Sequence, residues 1–112
     1  MKTLYCGKIP RDDVMDWCTA NKLYTQHDQF LLGYEWFEHE DEYYFTNNDH
    51  FLNGVRLAVK DGKAEPEDLD IIFMVDERLD TRKRVLIDKN GRLDHWPIGF
   101  FDEWTRVLIE LL

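Results

Sequence analysis

The sequence predicts an α/β domain: a mixed sheet, roughly β-α-β-β-α-β-β-α, with helices packed on the sheet. Three observations carry that expectation. Residues 69–75 form a nearly unbroken apolar run, as in a strand buried on both faces. Residues 50–60 put Phe51, Leu52, Val55, Ala58 and Val59 on one helical stripe. Residues 100–112 repeat that spacing with Phe101, Trp104, Val107, Leu108 and Leu111. Short β-prone runs lie between them, and layering helices on a sheet buries both kinds of apolar face.

The elements follow in order. Residues 2–6 read as a first strand, ended by Gly7 and Pro10. Asp12 or Asp13 can cap a helix in which Val14, Trp17 and Cys18 recur at helical spacing, with Asn21 as its stop. Residues 30–37 are aromatic and mixed in period, and read as a strand. Residues 42–46 are a second β-prone run. Asn47-Asn48-Asp49 supplies a turn or cap before the 50–60 helix, and Asp61-Gly62 ends it. Pro66-Glu67-Asp68 leads into the 69–75 strand. Residues 84–88 form another strand before the Lys89-Asn90-Gly91 turn. Pro97 and Gly99 break the chain before the closing helix. The expected core is Phe51, Leu52, Val55, Val59, Ile71, Phe73, Val75, Val85, Ile87, Trp96, Phe100, Trp104, Val107 and Leu108.

At 112 residues there is room for a single domain. A hydrophobic fraction of 44% suits a folded core and excludes general disorder. Fourteen Lys and Arg face 23 Asp and Glu, a net charge of −9. That opposes binding to nucleic-acid phosphates and to anionic membrane surfaces, so neither partner is expected. No apolar run approaches the roughly 20 residues of a membrane helix, nor is there a signal-like stretch, so a cytoplasmic protein is expected. Cys6 and Cys18 are too few for a disulfide scaffold and lack metal or redox spacing. The charge is uneven. Between Lys22 and Arg56 there is no Lys or Arg, while Asp28, Glu35, Glu38, Glu40, Asp41, Glu42 and Asp49 lie among seven aromatics.

Candidate catalytic patterns are weak. Residues 71–77 end a buried strand in Asp76-Glu77, as nucleotide hydrolases do, but no Gly-x-x-x-x-Gly-Lys-Ser/Thr loop accompanies it. His39 lies among Glu38, Glu40, Asp41 and Glu42, yet neighbours on an extended chain point to alternate faces, so a solvated acidic segment is expected rather than a metal site. His27 beside Asp28 has no recognisable partner. Asp88-x-Asn90-Gly91 has its glycine fourth, not sixth as in a calcium loop, and reads as a turn. The chain contains no serine. No catalytic residue, metal or cofactor is expected.

Two blocks carry a family resemblance. Thr46-Asn47-Asn48-Asp49-His50-Phe51-Leu52-Asn53-Gly54-Val55-Arg56-Leu57-Ala58-Val59-Lys60 resembles a segment of large bacterial ATPases with an ABC/RecF-like head, akin to the overcoming-lysogenisation (OLD-like) proteins, several of which serve anti-phage defence. In those ATPases the strand ends in Thr-His-Ser-Asp-His, and Leu-Asn-Gly-Ile-Arg follows on a helix. The stretch from Ile87 through Asp88-Lys89-Asn90-Gly91-Arg92-Leu93 to Trp96-Pro97-Ile98-Gly99-Phe100-Phe101-Asp102-Glu103-Trp104 is similar to their C-terminal signature. The resemblance covers about residues 45–112. The resemblance implies the tail of an ATPase head without its machinery. Asn47 stands at the family's switch histidine and Asn48 at its serine, and asparagine is no general base. Thr46, Asn47, Asp49, His50, Asn53, Gly54, Arg56, Trp96, Pro97, Gly99, Phe100 and Phe101 are family-motif positions, with no catalytic role carried over.

The expected function is therefore a non-catalytic protein-interaction module: subunit, regulator or decoy of an ATPase or its effector. Tyr34, Glu35, Trp36, Glu38, Glu40, Asp41, Glu42 and Tyr43 are the candidate partner-binding residues, because aromatics supply buried area and acids select a basic partner. The alternative is a small acidic immunity or DNA-mimic inhibitor of a nuclease or toxin.

Overall fold

The computed structural model describes residues 1–7, 25–74, 82–95 and 103–112, the last with side chains from Val107 onward. Among these residues, four strands form one mixed sheet: β1 (Lys2–Gly7), β2 (Tyr43–Thr46), β3 (Leu69–Met74) and β4 (Arg82–Val85). Their order is β2-β1-β3-β4. β1 lies parallel to both neighbours, and β3 pairs antiparallel with β4. Parallel neighbours need long crossover connections. Those crossovers contain α1 (Gln26–Glu35) and α2 (Asp49–Lys60); α3 (Glu103–Leu111) comes last.

The predicted stripe of α2 is its buried face: Phe51, Leu52, Val55, Ala58 and Val59 are all under 4% exposed. Beneath it lie Leu4 and Cys6 of β1, Leu69, Ile71 and Phe73 of β3, and Val85 of β4. Asn48 caps the helix, its side-chain oxygen accepting the His50 N–H at 2.9 Å. Asp61-Gly62 stops it as expected. Gly62 has φ +83°, its N–H donates to the Val59 carbonyl, and the Lys63 N–H donates to that of Ala58.

Residues 30–37, expected as a strand, are instead the end of α1 and part of a 3₁₀ turn, Trp36–Glu38. Local signals start the helix. The Thr25 hydroxyl accepts the Asp28 N–H, and the Asp28 carboxylate accepts the Thr25 N–H, both at 3.1 Å. Tertiary packing then overrides the β-propensity of the aromatics. A Cβ on Gly33 would sit 2.1 Å from the Phe51 carbonyl oxygen, and one on Gly54 would sit 2.1 Å from that of Phe30. The two helix backbones thus touch through a glycine from each side. Gln29 Oε1 and Trp36 Nε1, seven residues apart, are buried without hydrogen-bond partners among the described residues, a cost the surrounding packing must outweigh.

Other expectations shift. Leu69, Ile71 and Phe73 of β3 are buried on the helix side; on the other side Met74 is buried too, while Asp70 and Ile72 are half-buried and Asp70 pairs with Arg84 at 2.6 Å. The strand expected at 84–88 is displaced toward the N-terminus. Ile87 then bridges Leu93 across a turn in which the Asp88 carboxylate accepts the N–H groups of Asn90 and Arg92. Leu108, expected in the core, is 42% exposed, and Leu111 is 76% exposed. Val107 is half-buried. The helix expected near Asp12 and the core positions Val75, Trp96, Phe100 and Trp104 lie outside the described residues or side chains.

Two outcomes follow from this packing. Gly54→Ala should destabilise the protein by about 1–3 kcal/mol in urea unfolding, although Ala ordinarily improves a helix interior by roughly 1 kcal/mol; a neutral or stabilising result would refute the close crossing. Hydrogen bonds from Thr25 hold the Asp28 carboxyl below its ordinary value. Its contribution is present above the unfolded carboxylate pKa and is lost as pH falls through the lower folded value. Asp28→Asn should therefore lower stability at neutral pH and flatten that part of the acid unfolding curve.

Candidate functional site

The candidate contact residues fall into three environments. Trp36 is core. It is 3% exposed, with ring centroids 5.6 Å from Phe37, 6.4 Å from Tyr44 and 6.1 Å from Phe51. Tyr44 and Phe51 stack at 4.3 Å, nearly parallel. Trp36 therefore supports the segment from beneath rather than offering contact area. Tyr34 is half-buried and already engaged: its hydroxyl donates to Asp61 Oδ2 at 2.7 Å, and Lys63 Nζ lies 4.0 Å from its ring centroid. The bond to Asp61 pushes the Tyr34 hydroxyl above its ordinary pKa. Glu35, Glu38, Glu40, Asp41, Glu42 and Tyr43 are exposed.

The exposed group divides again. The strand period turns Tyr43 to the opposite sheet face from Tyr44. Tyr43 sits in the row of Thr3 and Asp70, and Tyr44 in that of Leu4 and Ile71. Tyr43 packs edge-on to Phe45, which stacks on Tyr5. On the helix side, His39 and Asp41 lie beside the Trp36–Tyr44–Phe51 cluster.

Lys2, which sequence reasoning missed, fixes this arrangement. Its ammonium donates to the carbonyls of His39, at 2.7 Å, and of Asp41. It also lies 5.0 Å from the Trp36 ring centroid, within cation–π range. The Thr3 N–H donates to the Glu42 carbonyl at 2.8 Å. Residues 39–42 are thus laced to the start of β1. Nothing local in the sequence marks a contact spanning 37 residues. Lys63 closes the other side with a 3.1 Å salt bridge to Glu38, which raises the lysine's pKa. Glu40, Asp41 and Glu42 form no salt bridge among the described residues.

A pocket of about 130 Å³ opens in this region, lined by Leu32, Trp36, His39, Asp41, Tyr44 and Phe51. Three of these six residues are Trp, Tyr or Phe, and Asp41 is the one acidic residue. Among the described residues, no three His, Cys, Asp or Glu side chains group to hold a metal ion. Burial pushes the Cys6 thiol far above its ordinary pKa, which removes the reactive thiolate.

The family-motif positions have structural roles. Buried Thr46 accepts the Asn48 N–H on its hydroxyl at 3.0 Å. Asn47 and Asp49 are exposed, and His50 Nε2 lies 3.8 Å from Asp49 Oδ1. Asn53 accepts from Arg56 Nη1 at 3.1 Å, and Arg56 Nε donates to the Gly91 carbonyl at 2.8 Å. Gly91 has φ +76°, and a Cβ there would sit 2.4 Å from the Arg56 carbonyl oxygen. Gly54 supplies the helix crossing, and Arg56 docks the 88–92 turn onto α2. Trp96, Pro97, Gly99, Phe100 and Phe101 lie outside the described residues.

One comparison with known proteins finds a match, at one end of this chain. Residues 65–111 match the model of a family described as a protein of unknown function (DUF3696). That segment contains β3, β4, the 88–92 turn and α3, and so the second of the two blocks with the ATPase resemblance. No curated protein and no solved structure matches the chain. No helix among the described residues is long and apolar enough to cross a membrane.

Replacing Lys2 by Met should free the 39–42 segment. Amide exchange at Thr3 and residues 39–42 should accelerate while exchange in α2 stays slow. Unchanged exchange at 39–42 would contradict the role given to Lys2.

Proposed function

We propose that the chain is a non-catalytic protein-interaction module. It would act as a subunit, regulator or decoy of an ATPase or its effector, in the cytoplasm. The observation that carries this reading is the exposed run Glu38–Glu40–Asp41–Glu42, held against an aromatic base, with its last three acids in no salt bridge among the described residues. Unpaired carboxylates beside a preformed apolar surface suit recognition of a basic protein face, with the charges speeding encounter. The resemblance of residues 45–112 to the tail of defence-type ATPases supports the choice of partner. The DUF3696 match over residues 65–111 is consistent with it and adds no activity of its own. The packing roles of Asn53, Gly54 and Arg56 account for those motif positions without chemistry.

The test is capture from the native host with the tagged chain, cross-linking and mass spectrometry. The expected partner is a protein with a phosphate-binding loop, or its effector, retained by the wild type and lost in the Glu40→Lys/Glu42→Lys double variant. Capture of a basic nuclease, released steeply by salt, would instead favour the acidic inhibitor. Hydrolysis of ATP above background by the purified chain would contradict the non-catalytic reading.

A further inference from the structure

We propose that the groove between α2 and the 88–92 turn binds a tetrahedral oxyanion, either free phosphate or the phosphoryl group of a small ester. The inference stands apart from the interaction-module reading and uses none of its contact residues. The groove holds about 170 Å³ and is lined by Asn53, Arg56, Leu57, Lys60, Asn90 and Gly91. Composition is the first argument. The chain has 23 Asp and Glu against 14 Lys and Arg, yet this lining carries two cations, two carboxamides and no acid. The acids beside Asn90 and Lys60 in sequence are held by other donors. The Asp88 carboxylate accepts the N–H groups of Asn90 and Arg92, and Asp61 accepts the Tyr34 hydroxyl.

Placement is the second argument. Arg56 Nε donates to the Gly91 carbonyl and Nη1 to Asn53 Oδ1, so the guanidinium spans two other lining residues and its charge is fixed at the wall. Lys60 lies one turn further along the same helix face. It is exposed and forms no salt bridge among the described residues. The shape of the anion follows from the donors. Both two-point edges of the guanidinium, Nε with Nη2 and Nη1 with Nη2, have one nitrogen already donating, which disfavours a flat bidentate carboxylate. The ammonium of Lys60 and the carboxamides of Asn53 and Asn90 come from α2 and from the turn, which suits an acceptor with oxygens in several directions. The helix end does not oppose the anion, because the Leu57, Ala58 and Val59 carbonyls accept the N–H groups of Asp61, Lys63 and Gly62. The acids elsewhere on the chain are screened beyond roughly 8 Å at physiological salt.

The experiment is a titration of the ¹⁵N-labelled full chain, followed by nuclear magnetic resonance, with inorganic phosphate, glycerol 3-phosphate and acetate as separate probes at ionic strength matched with chloride. Phosphate should shift the side-chain amide signals of Asn53 and Asn90 and the backbone amide of Gly91 together, at least fivefold more tightly than acetate. Lys60→Gln should weaken that binding at least threefold, and its exposed position should leave the rest of the spectrum in place. Tighter binding of glycerol 3-phosphate than of phosphate would assign the site to a phosphoryl ester, with its carbon chain on Leu57. Equal or weaker binding would assign it to the free anion. The proposal is overturned if phosphate moves these signals no more than chloride does, if acetate binds as tightly, or if Lys60→Gln binds phosphate equally.

Discussion

The two glycines that let α1 and α2 touch set the geometry on which everything else here depends. Gly33 meets the Phe51 carbonyl, and Gly54 meets that of Phe30. With any side chain at either position the helices would separate. Trp36, which follows α1 directly, would then lose its place beside Phe51. The crossing thus converts a helix of modest amphipathicity into a fixed platform. The platform leaves Tyr44 and Phe51 stacked and Trp36 tilted against both.

The acidic segment inherits its position from that platform and from one lysine. Residues 39–42 are not a strand or helix, so no repeating backbone pattern holds them. Lys2 substitutes for that pattern by donating to two of their carbonyls. The segment is fixed through backbone atoms, while the carboxylates of Glu40, Asp41 and Glu42 form no salt bridge among the described residues. A surface that is ordered but electrostatically unsatisfied is well suited to binding, since little ordering entropy remains to be lost. On the far side, Arg56 and Gly91 hold the 88–92 turn to α2 with the same economy of a single side chain.

Elements with one strong signal were legible in the sequence. The α2 stripe, a cap within Asn47-Asn48-Asp49 and the Asp61-Gly62 stop are all local, and all three hold, with Asn48 as the capping residue. β1, β2 and β3 fell within a residue or so of their expected places. α1 was misread because its aromatics favour strands, while the Thr25-x-x-Asp28 cap is short and lacks the usual Glu. Its decisive feature, Gly33 against Phe51, is a tertiary contact that no local pattern reveals. Leu108 was misread because helical spacing identifies an apolar face without saying what covers it. The acidic residues of the candidate site were visible as a gap in basic charge. The pocket was not, because it depends on which face each ring takes: Trp36 turned inward, and Tyr43 to the opposite face of the sheet.

The proposed contact surface lies outside the segment matching DUF3696, which begins at residue 65. The matched segment supplies β3, β4 and α3. The acidic rim grows from residues 36–44, next to β1 and β2. The most direct measurement is a hydrogen–deuterium exchange footprint of the captured complex against the free chain. The account predicts protection concentrated at residues 36–44. Protection confined to α3 or β4, with residues 38–42 unchanged, would contradict it.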